Sequence, residues 1–200
     1  MNEFFIASDK CYPIYLGEHE YLIQQVKMKD FAEWIAVAEP IKQQLNQTQN
    51  DYMQLLVNLH DHCIGLIALV SDIPIDIVGH YVFKDISQVV AILSCIIDVN
   101  FIYFKETQNN NKNNEDFGRI KSSNKKENTT WFDSFQFLVQ AGHTHESIMN
   151  MNYGTFHKYI EAIEKQNTQQ FMTNISAMRI AYHADAKGYK SFKMNIDRCL

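Results

Sequence analysis

The stretch ISQVVAILSCIIDVNFIYF, residues 86–104, decides the fold of this chain of 200 residues. Large apolar side chains fall on nearly every side of the helix that their spacing predicts. A helix that is apolar almost all round is buried among other elements, so we expect this helix, starting near Asp85, to lie in the core. Its apolar run is shorter than the roughly 20 residues that cross a bilayer, and Asp98 and Asn100 interrupt it, so no membrane span is predicted.

The pattern of apolar residues before this helix changes at residue 30. The segments EFFIAS, CYPIYL and EYLIQQVKM are rich in aromatic and β-branched residues, and Pro13 and Gly17 punctuate them. This pattern predicts two or three short strands in a small antiparallel hairpin or meander. From Asp30, which forms a capping-box-like start with Glu33, the apolar spacing becomes helical. Pro40 lies inside that helix and is expected to kink it or split it.

Two further helical segments are expected before the central helix. QNDYMQLLVNLHDHCIGLIALVSD, residues 49–72, predicts a second helical stretch. DIPIDIVGH, residues 72–80, predicts a short helix with Asp72 as its cap and Pro74 in its first turn, where the missing backbone donor does no harm.

The composition changes abruptly after the central helix. Asn, Lys, Ser, Thr and Glu dominate TQNNNKNNEDFGRIKSSNKKENTT, which cannot bury enough apolar surface to offset its ordering entropy. A flexible polar loop is therefore expected around residues 107–129. Beyond it, WFDSFQFLVQAGH predicts an amphipathic helix capped by Thr129 or Thr130, and THESIMNM predicts a short helical turn.

A long final helix is predicted from Tyr153 onward. Its apolar residues keep helical spacing, first near its start and again at Phe171, Ile175, Met178 and Tyr182. The fold class is therefore mainly α: a multi-helix bundle with a small N-terminal antiparallel β hairpin or meander and a polar loop. We expect residues 1–106 to hold the β segment and helical core, 107–129 the linker, and 130–200 a C-terminal helical part packed on the same core.

The composition argues against several classes of function. The net charge of −5 lacks the basic excess of a duplex-binding domain, so no nucleic acid partner is predicted. The four cysteines are scattered and form no CxxC pair, which fits a reducing cytoplasm. The sequence has no glycine-rich phosphate loop, no Gly-x-Ser-x-Gly elbow and no clustered Cys and His. We therefore predict no catalytic activity and no cofactor.

The first candidate for a metal site is the segment NLHDHC, which holds His60, Asp61 and His62. Residues two apart on a helix point about 200° apart, so the two histidines do not face one ion together. We expect His60 to be exposed and predict no metal site. A metal-dependent hydrolase using His60, Asp61 and His62, with His19 and Asp98 as further ligands, is kept as an alternative.

The second candidate is AGHTHESI, residues 141–148, with His143 and His145. Gly142 suits the left-handed conformation that ends a helix, and Thr144 suits the cap of the next one. Glu146 is then well placed near a helix N-terminus. A turn between two helices explains this segment without a ligand.

The aromatic residues exceed what one helix face can bury. The chain has 13 Phe, 10 Tyr and 2 Trp, and several crowd into two helices at positions that cannot all face one core. Core packing explains each residue most simply, but the surplus predicts a groove that accepts a partner helix. The candidate partner-binding residues are Trp131, Phe132, Phe135, Tyr153, Phe156 and Tyr159.

The order of segments is also informative. A β-rich opening leads into VKMKDFAEWIAVAEPI, the central helix ends in DVNFIYF, the turn LVQAGH follows the polar insert, and NYGTFHKYIEAI opens the last helix. Over about residues 21–186 this order resembles phage tail assembly chaperones of long-tailed phages and prophages. The long Asn- and Lys-rich insert and the extra histidines depart from the family pattern.

The resemblance implies a binding protein that coats the tape measure protein and prevents its aggregation until the tail tube assembles around it. The implied partners are the tape measure protein and, through a longer frameshift form, the tail tube protein; a homo-oligomer is left open. The resemblance also implies a place in the host cytoplasm and absence from the mature virion. A phage regulator or anti-defence protein that binds a host factor is a further alternative.

Overall fold

The computed structural model of the chain describes residues 3–48, 51–109 and 130–183, together with residues 187, 188 and 190. These residues form ten α-helices, one 3-10 helix and a two-stranded antiparallel sheet, which confirms the mainly α fold with an N-terminal hairpin. Most of the expected polar loop, residues 110–129, lies outside the described residues. The chain divides into two compact units, residues 1–158 and 159–200.

The elements follow one another with short connections. In chain order they are α1 Glu3–Ala7, β1 Tyr12–Leu16, β2 His19–Ile23, the 3-10 helix Met28–Asp30, α2 Phe31–Thr48, α3 Tyr52–Asn58, α4 His60–Val70, α5 Ile75–Lys84, α6 Ile86–Val99, α7 Phe101–Asn109, α8 Trp131–Gln140, α9 His145–Asn150 and α10 Tyr153–His183. Within the described ranges no single helix is long and apolar enough to cross a membrane. Taken together, α3 and α4 have the length and composition of a membrane span, but a bend of 106° separates the two helices.

The hairpin confirms the strand prediction for CYPIYL and EYLI, whereas the strand prediction for EFFIAS is wrong. Gly17 makes the turn between β1 and β2 with a φ of 64°. EFFIA instead forms α1, and carbonyl oxygens of α1 and of the residue after it accept hydrogen bonds from distant side chains. Gln25 donates to the oxygens of Phe5 and Ser8, and Asn152 donates to that of Ile6. These long-range contacts outweigh the local β preference of the aromatic and β-branched residues.

Helix α2 begins after the 3-10 helix that ends at Asp30, close to the predicted start. It continues through Pro40 as one element, so the predicted split does not occur. The fully buried side chains of Trp34, Ala38 and Ile41 lie on one face on both sides of the proline. Their burial holds the helix together where one backbone hydrogen bond is missing.

Two segments that the sequence predicts as single helices are each divided into two helices in the structure. The segment 49–72 breaks at Leu59 into α3 and α4, and the central helix breaks at Asn100 into α6 and α7. Asn100 is buried, accepts a hydrogen bond from the Val26 N–H and donates to the carbonyl oxygens of Gln24 and Ile96. The break therefore places in the core a polar side chain whose amide oxygen and amide nitrogen are both hydrogen-bonded.

Asp72 does not cap α5 as predicted, because its carboxylate accepts a hydrogen bond from the Leu22 N–H of β2 at 2.7 Å. Pro74 takes the cap position of α5 instead. Helix α6 is the central element, as expected, and it contacts α3, α4, α5, α7 and both strands. Its residues Val89, Leu93 and Ile96 have no exposed surface.

The extended segment between β2 and the 3-10 helix connects the N-terminal and C-terminal parts of the first unit. Gln24 donates its N–H to the carbonyl oxygen of Val70, and Tyr153 donates its N–H to that of Val26. Met28 in turn donates to the carbonyl oxygen of Met151. These bonds place the start of α10, and with it α9, against the 3-10 helix that precedes α2.

Candidate partner-binding surfaces

Helix α8, which carries three of the six candidate partner-binding residues, is capped at its first turn. The Thr130 hydroxyl accepts a hydrogen bond from the Asp133 N–H, and the Asp133 carboxylate accepts one from the Thr130 N–H at 2.8 Å. This capping box confirms Thr130 as the cap. The Thr130 hydroxyl also donates to the Asp133 carboxylate at 2.7 Å, and this bond, followed by the one from the Thr130 N–H, lowers the pKa of Asp133 below its ordinary value.

The turn after α8 confirms the interpretation of AGHTHESI as a helix junction. Gly142 has a φ of 98°, its N–H donates to the carbonyl oxygen of Val139, and the His143 N–H donates to that of Leu138. These two bonds form the Schellman motif that ends many helices. Thr144 then caps α9 by accepting a hydrogen bond from the Ser147 N–H at 3.1 Å.

The inner side of α8 and the start of α10 close an aromatic cluster in the core. The ring of Tyr153 stacks on Phe31 with centroids 4.6 Å apart and an angle of 7° between the rings. Tyr153 and Phe156 are only 5% and 3% exposed. Tyr153 and Phe156, which the sequence suggested as partner-binding residues, instead belong to the core of this unit.

The outer side of α8 leaves large apolar side chains in contact with solvent. Phe132 is 71% exposed and Trp131 is 49% exposed. The exposed Val139 and the half-buried Phe135 lie on the same face, at helical spacing from Phe132. We call these four residues, Trp131, Phe132, Phe135 and Val139, the α8 face.

The α8 face is held in place from below by the aromatic cluster. The ring of Trp131 lies 5.1 Å from Phe31 and 5.9 Å from Phe156. Phe135 lies between Phe156 at 5.6 Å and the His145 ring at 5.9 Å. One side of each of these two rings is therefore fixed, and little side-chain entropy is lost when a partner covers the other side.

The second unit carries a longer apolar surface on α10. Four residues spaced by four, three and four positions lie on one helix face and are all exposed. Their exposed fractions are 64% for Phe171, 43% for Ile175, 67% for Met178 and 88% for Tyr182. We call these four residues the α10 stripe. Tyr159, the candidate from the sequence in this unit, is 43% exposed.

Sequence reasoning found the spacing of the α10 stripe but did not assign it to a surface. The run EKQNTQQ, residues 164–170, carried the missing signal, because seven consecutive polar residues leave no apolar face for a core. All seven are exposed in the structure.

The histidine pairs do not form a set of metal ligands that converge on one point in the described part of the chain. His60 and Asp61 are exposed, and the His60 Nδ1 atom lies 3.2 Å from the Asp61 carboxylate. In the part of the chain that the structure describes, no group of three His, Cys, Asp or Glu side chains could hold a metal ion. Burial raises the pKa of the Cys63 thiol to about 12, so this cysteine is not a nucleophile at neutral pH.

Two surface clefts lie on the first unit. A cleft of about 240 Å³ between β1 and α6 is lined by Tyr12, Tyr15, Cys95 and neighbouring uncharged residues. A cleft of about 130 Å³ follows the segment from Gln24 to Asp30. Neither lining contains a histidine, so neither offers a carboxylate–histidine pair for acid–base chemistry.

No protein-family model, no curated protein and no solved structure matches this chain. What the two faces offer chemically is apolar area on helices, with aromatic and methionine side chains that adapt to the shape of a partner.

Proposed function

We propose that this chain is a non-enzymatic binding protein, a phage tail assembly chaperone that covers apolar helical segments of a tape measure protein until the tail tube assembles around it. The observation that carries the proposal is the α10 stripe. Four large apolar side chains on one face of a helix, exposed by 43% to 88%, are a surface suited to another apolar helix.

The energetics favour a partner on this surface. Fully burying a large apolar side chain contributes about 1.5 to 3 kcal/mol, so covering four of them offsets a large part of the cost of association. A partner chain with long apolar helical stripes is stabilised in the same way when its stripes are covered, because such stripes aggregate when they are left in water. Each surface then protects the other from water.

The α8 face supports the same proposal from the other unit. Its aromatic residues are anchored by rings beneath them, which is the arrangement of side chains that contribute most to binding. The segment order described above supplies the identity of the partner, the tape measure protein. Within the proposal, a longer frameshift form brings the tail tube protein, the complex forms in the host cytoplasm, and the chaperone leaves before the virion is mature.

The test is co-expression with the tape measure protein encoded by the same phage. We expect the tape measure protein to stay in the soluble fraction and to co-purify with the chain. The double substitution Ile175→Asp and Met178→Asp, which places two charges in the α10 stripe, is expected to abolish this effect.

The matched control lies on the same helix. Gln169 is exposed on the side of α10 opposite the stripe, so Gln169→Asp adds a charge without touching the apolar face. It should leave solubility and co-purification unchanged. Equal loss in both variants, or no gain in solubility with the natural chain, would overturn the proposal.

A further inference from the structure

The two outer edges of the hairpin differ in how their backbone groups are used. Leu22, on the outer edge of β2, donates its N–H to the Asp72 carboxylate and accepts a hydrogen bond from the Asp72 N–H. Gln24, two residues later, donates its N–H to the carbonyl oxygen of Val70. The outer edge of β2 is therefore paired with the segment that follows α4, and the outer edge of β1 is the one left open.

The register of the hairpin shows which groups of β1 lie on this open edge. Leu22 points its N–H and carbonyl oxygen away from β1, and its partner across the sheet is Pro13. Such outward pairs alternate along an antiparallel ladder, so Pro13 and Tyr15 point their backbone groups away from β2. Proline has no N–H, so the open edge offers the carbonyl oxygen of Pro13 and both backbone groups of Tyr15. Within the described ranges of the chain, none of these groups has a hydrogen-bond partner.

The open edge of β1 borders the larger of the two clefts. This cleft, of about 240 Å³, lies between the five residues of β1 and one side of α6. The α6 residues that line it are Gln88, Ala91, Ile92 and Cys95. None of these four side chains is charged. On β1, Ile14 is half-buried and Leu16 is buried, so their side of the strand faces the core next to α6. An apolar side chain therefore fits in the cleft, whereas a charged one finds no partner among these linings.

We infer that the open edge of β1 binds an extended segment of a partner protein, which adds a third strand to the sheet. The free backbone groups specify an occupant with N–H and C=O groups at strand spacing, which is another extended chain. The side chains of an added strand alternate between the two faces of the sheet. Every second residue of the segment enters the cleft beside α6 and is apolar, and the residues between them face solvent beside Tyr15. The inference does not depend on the proposed function, because it uses neither the α8 face nor the α10 stripe.

Pro13 limits the extent of this contact. An added strand makes three hydrogen bonds with Pro13 and Tyr15 whichever way it runs, and the missing N–H of Pro13 leaves a fourth bond unmade. Proline on an edge strand is one of the devices that prevent unlimited pairing of strands. We therefore expect a weak, reversible contact with a short segment, with a dissociation constant of the order of 1 mM for an isolated peptide.

The test is an NMR titration of the isotope-labelled chain with two synthetic peptides. The probes are acetyl-Lys-Thr-Val-Thr-Val-Thr-Lys-amide and the same peptide with Ala in place of Val. The Tyr15 N–H exchanges water for a carbonyl oxygen, so its proton resonance should move downfield as peptide is added. No movement of this resonance with either probe up to about 5 mM would overturn the inference. A shift at Cys95 without one at Tyr15 would show that the cleft takes apolar side chains alone, which also contradicts strand pairing.

Methylated peptides separate backbone pairing from side-chain contact. The N–H groups of a strand alternate between its two edges, so those of the Thr residues and those of the Val residues point in opposite directions. The Thr nitrogens are methylated in one version of the probe and the Val nitrogens in the other. One version should bind at least about tenfold more weakly than the parent peptide, and the other should keep its affinity. Equal binding of both versions and the parent would contradict pairing with β1.

Two substitutions at Tyr15 test the same edge from the side of the protein. Tyr15→Pro removes the N–H from the open edge, where proline is tolerated because the pairing with β2 does not use this group. Tyr15→Thr is the matched control: it keeps the N–H, and both variants lose the hydrogen bond from the tyrosine hydroxyl to Glu20. Tyr15→Pro should weaken binding of the peptide at least about tenfold, and Tyr15→Thr should stay within about threefold of the natural chain.

Binding to these variants is followed at the resonances of Ala91 and Cys95, which line the cleft. Circular dichroism first checks that both variants keep the helical content of the natural chain, and the methylated peptides test the contact without any substitution. Equal loss of binding in the two variants would overturn the inference. Sedimentation equilibrium covers the other occupant: a natural chain that forms dimers which Tyr15→Pro abolishes would place a second copy on this edge and likewise overturn it.

Discussion

The start of α10 and its later turns carry the same kinds of residue at the same helical spacing, yet they lie in opposite environments. Tyr153 and Phe156 are almost completely buried, whereas Phe171 and Tyr182 are mostly exposed. The spacing shows that a helix has an apolar side, but the neighbours of that side decide what it does. At the start of α10 the neighbours are Phe31 and Trp131. For the α10 stripe, we propose, the neighbour is another protein.

The largest difference is expected when the same substitution is made in both regions. Phe156→Ala removes a buried ring and leaves a cavity, so it should lower the free energy of unfolding by about 3 to 5 kcal/mol. Phe171→Ala removes an exposed ring and should change it by less than about 0.5 kcal/mol. Urea denaturation of the two variants measures both. Similar losses would mean that the α10 stripe is covered within the chain.

A second prediction tests whether the buried region depends on polar groups as well as on apolar ones. Asn100→Ala leaves the Val26 N–H without its acceptor, and a buried unsatisfied donor costs about 1 to 3 kcal/mol. Asn174→Ala, at an exposed position in α10, is the matched control and should stay within about 0.5 kcal/mol of the natural chain. The midpoints of urea denaturation compare the two variants. Equal midpoints would show that the hydrogen bonds of Asn100 do not stabilise the core.

The third prediction concerns the end of α8 that presents the exposed aromatic residues. Thr130→Ala removes the capping box and should cost about 1 kcal/mol of stability. Thr130 lowers the pKa of Asp133, so the ionised carboxylate stabilises the folded state at pH values above 3.8, the ordinary pKa of this group. This contribution is lost as the pH falls through the lowered pKa.

The variant should therefore lose less stability than the natural chain when the pH falls from 5 toward and below 3. Thermal denaturation over this range measures the difference between the two proteins. A constant difference at all pH values would show that the capping box does not involve the charge of Asp133.

These comparisons indicate which features could be predicted from the sequence. The helical periods, the hairpin, the cap at Thr130 and the end of α8 at Gly142 depend on residues close together in the chain, and they were predicted. The break at Asn100 depends on Val26, 74 residues away, and α1 depends on Asn152, 146 residues from Ile6. Contacts at such separations leave no trace in local spacing. The α10 stripe differs, because the polar run at residues 164–170 marks that part of the helix as exposed in the sequence itself.

The smallest effects are expected at the two histidines of AGHTHESI, the second candidate for a metal site. His143 and His145 lie in the turn between α8 and α9, where Gly142 and Thr144 make the backbone and capping bonds. His143→Ala and His145→Ala should each change the free energy of unfolding by about 0.5 kcal/mol, since the turn does not need either ring. His145→Ala also removes a ring contact with Phe135 of the α8 face. Elemental analysis of the natural chain, purified without a histidine tag, should find no stoichiometric metal. A bound equivalent that either substitution removes would instead make this turn a ligand site.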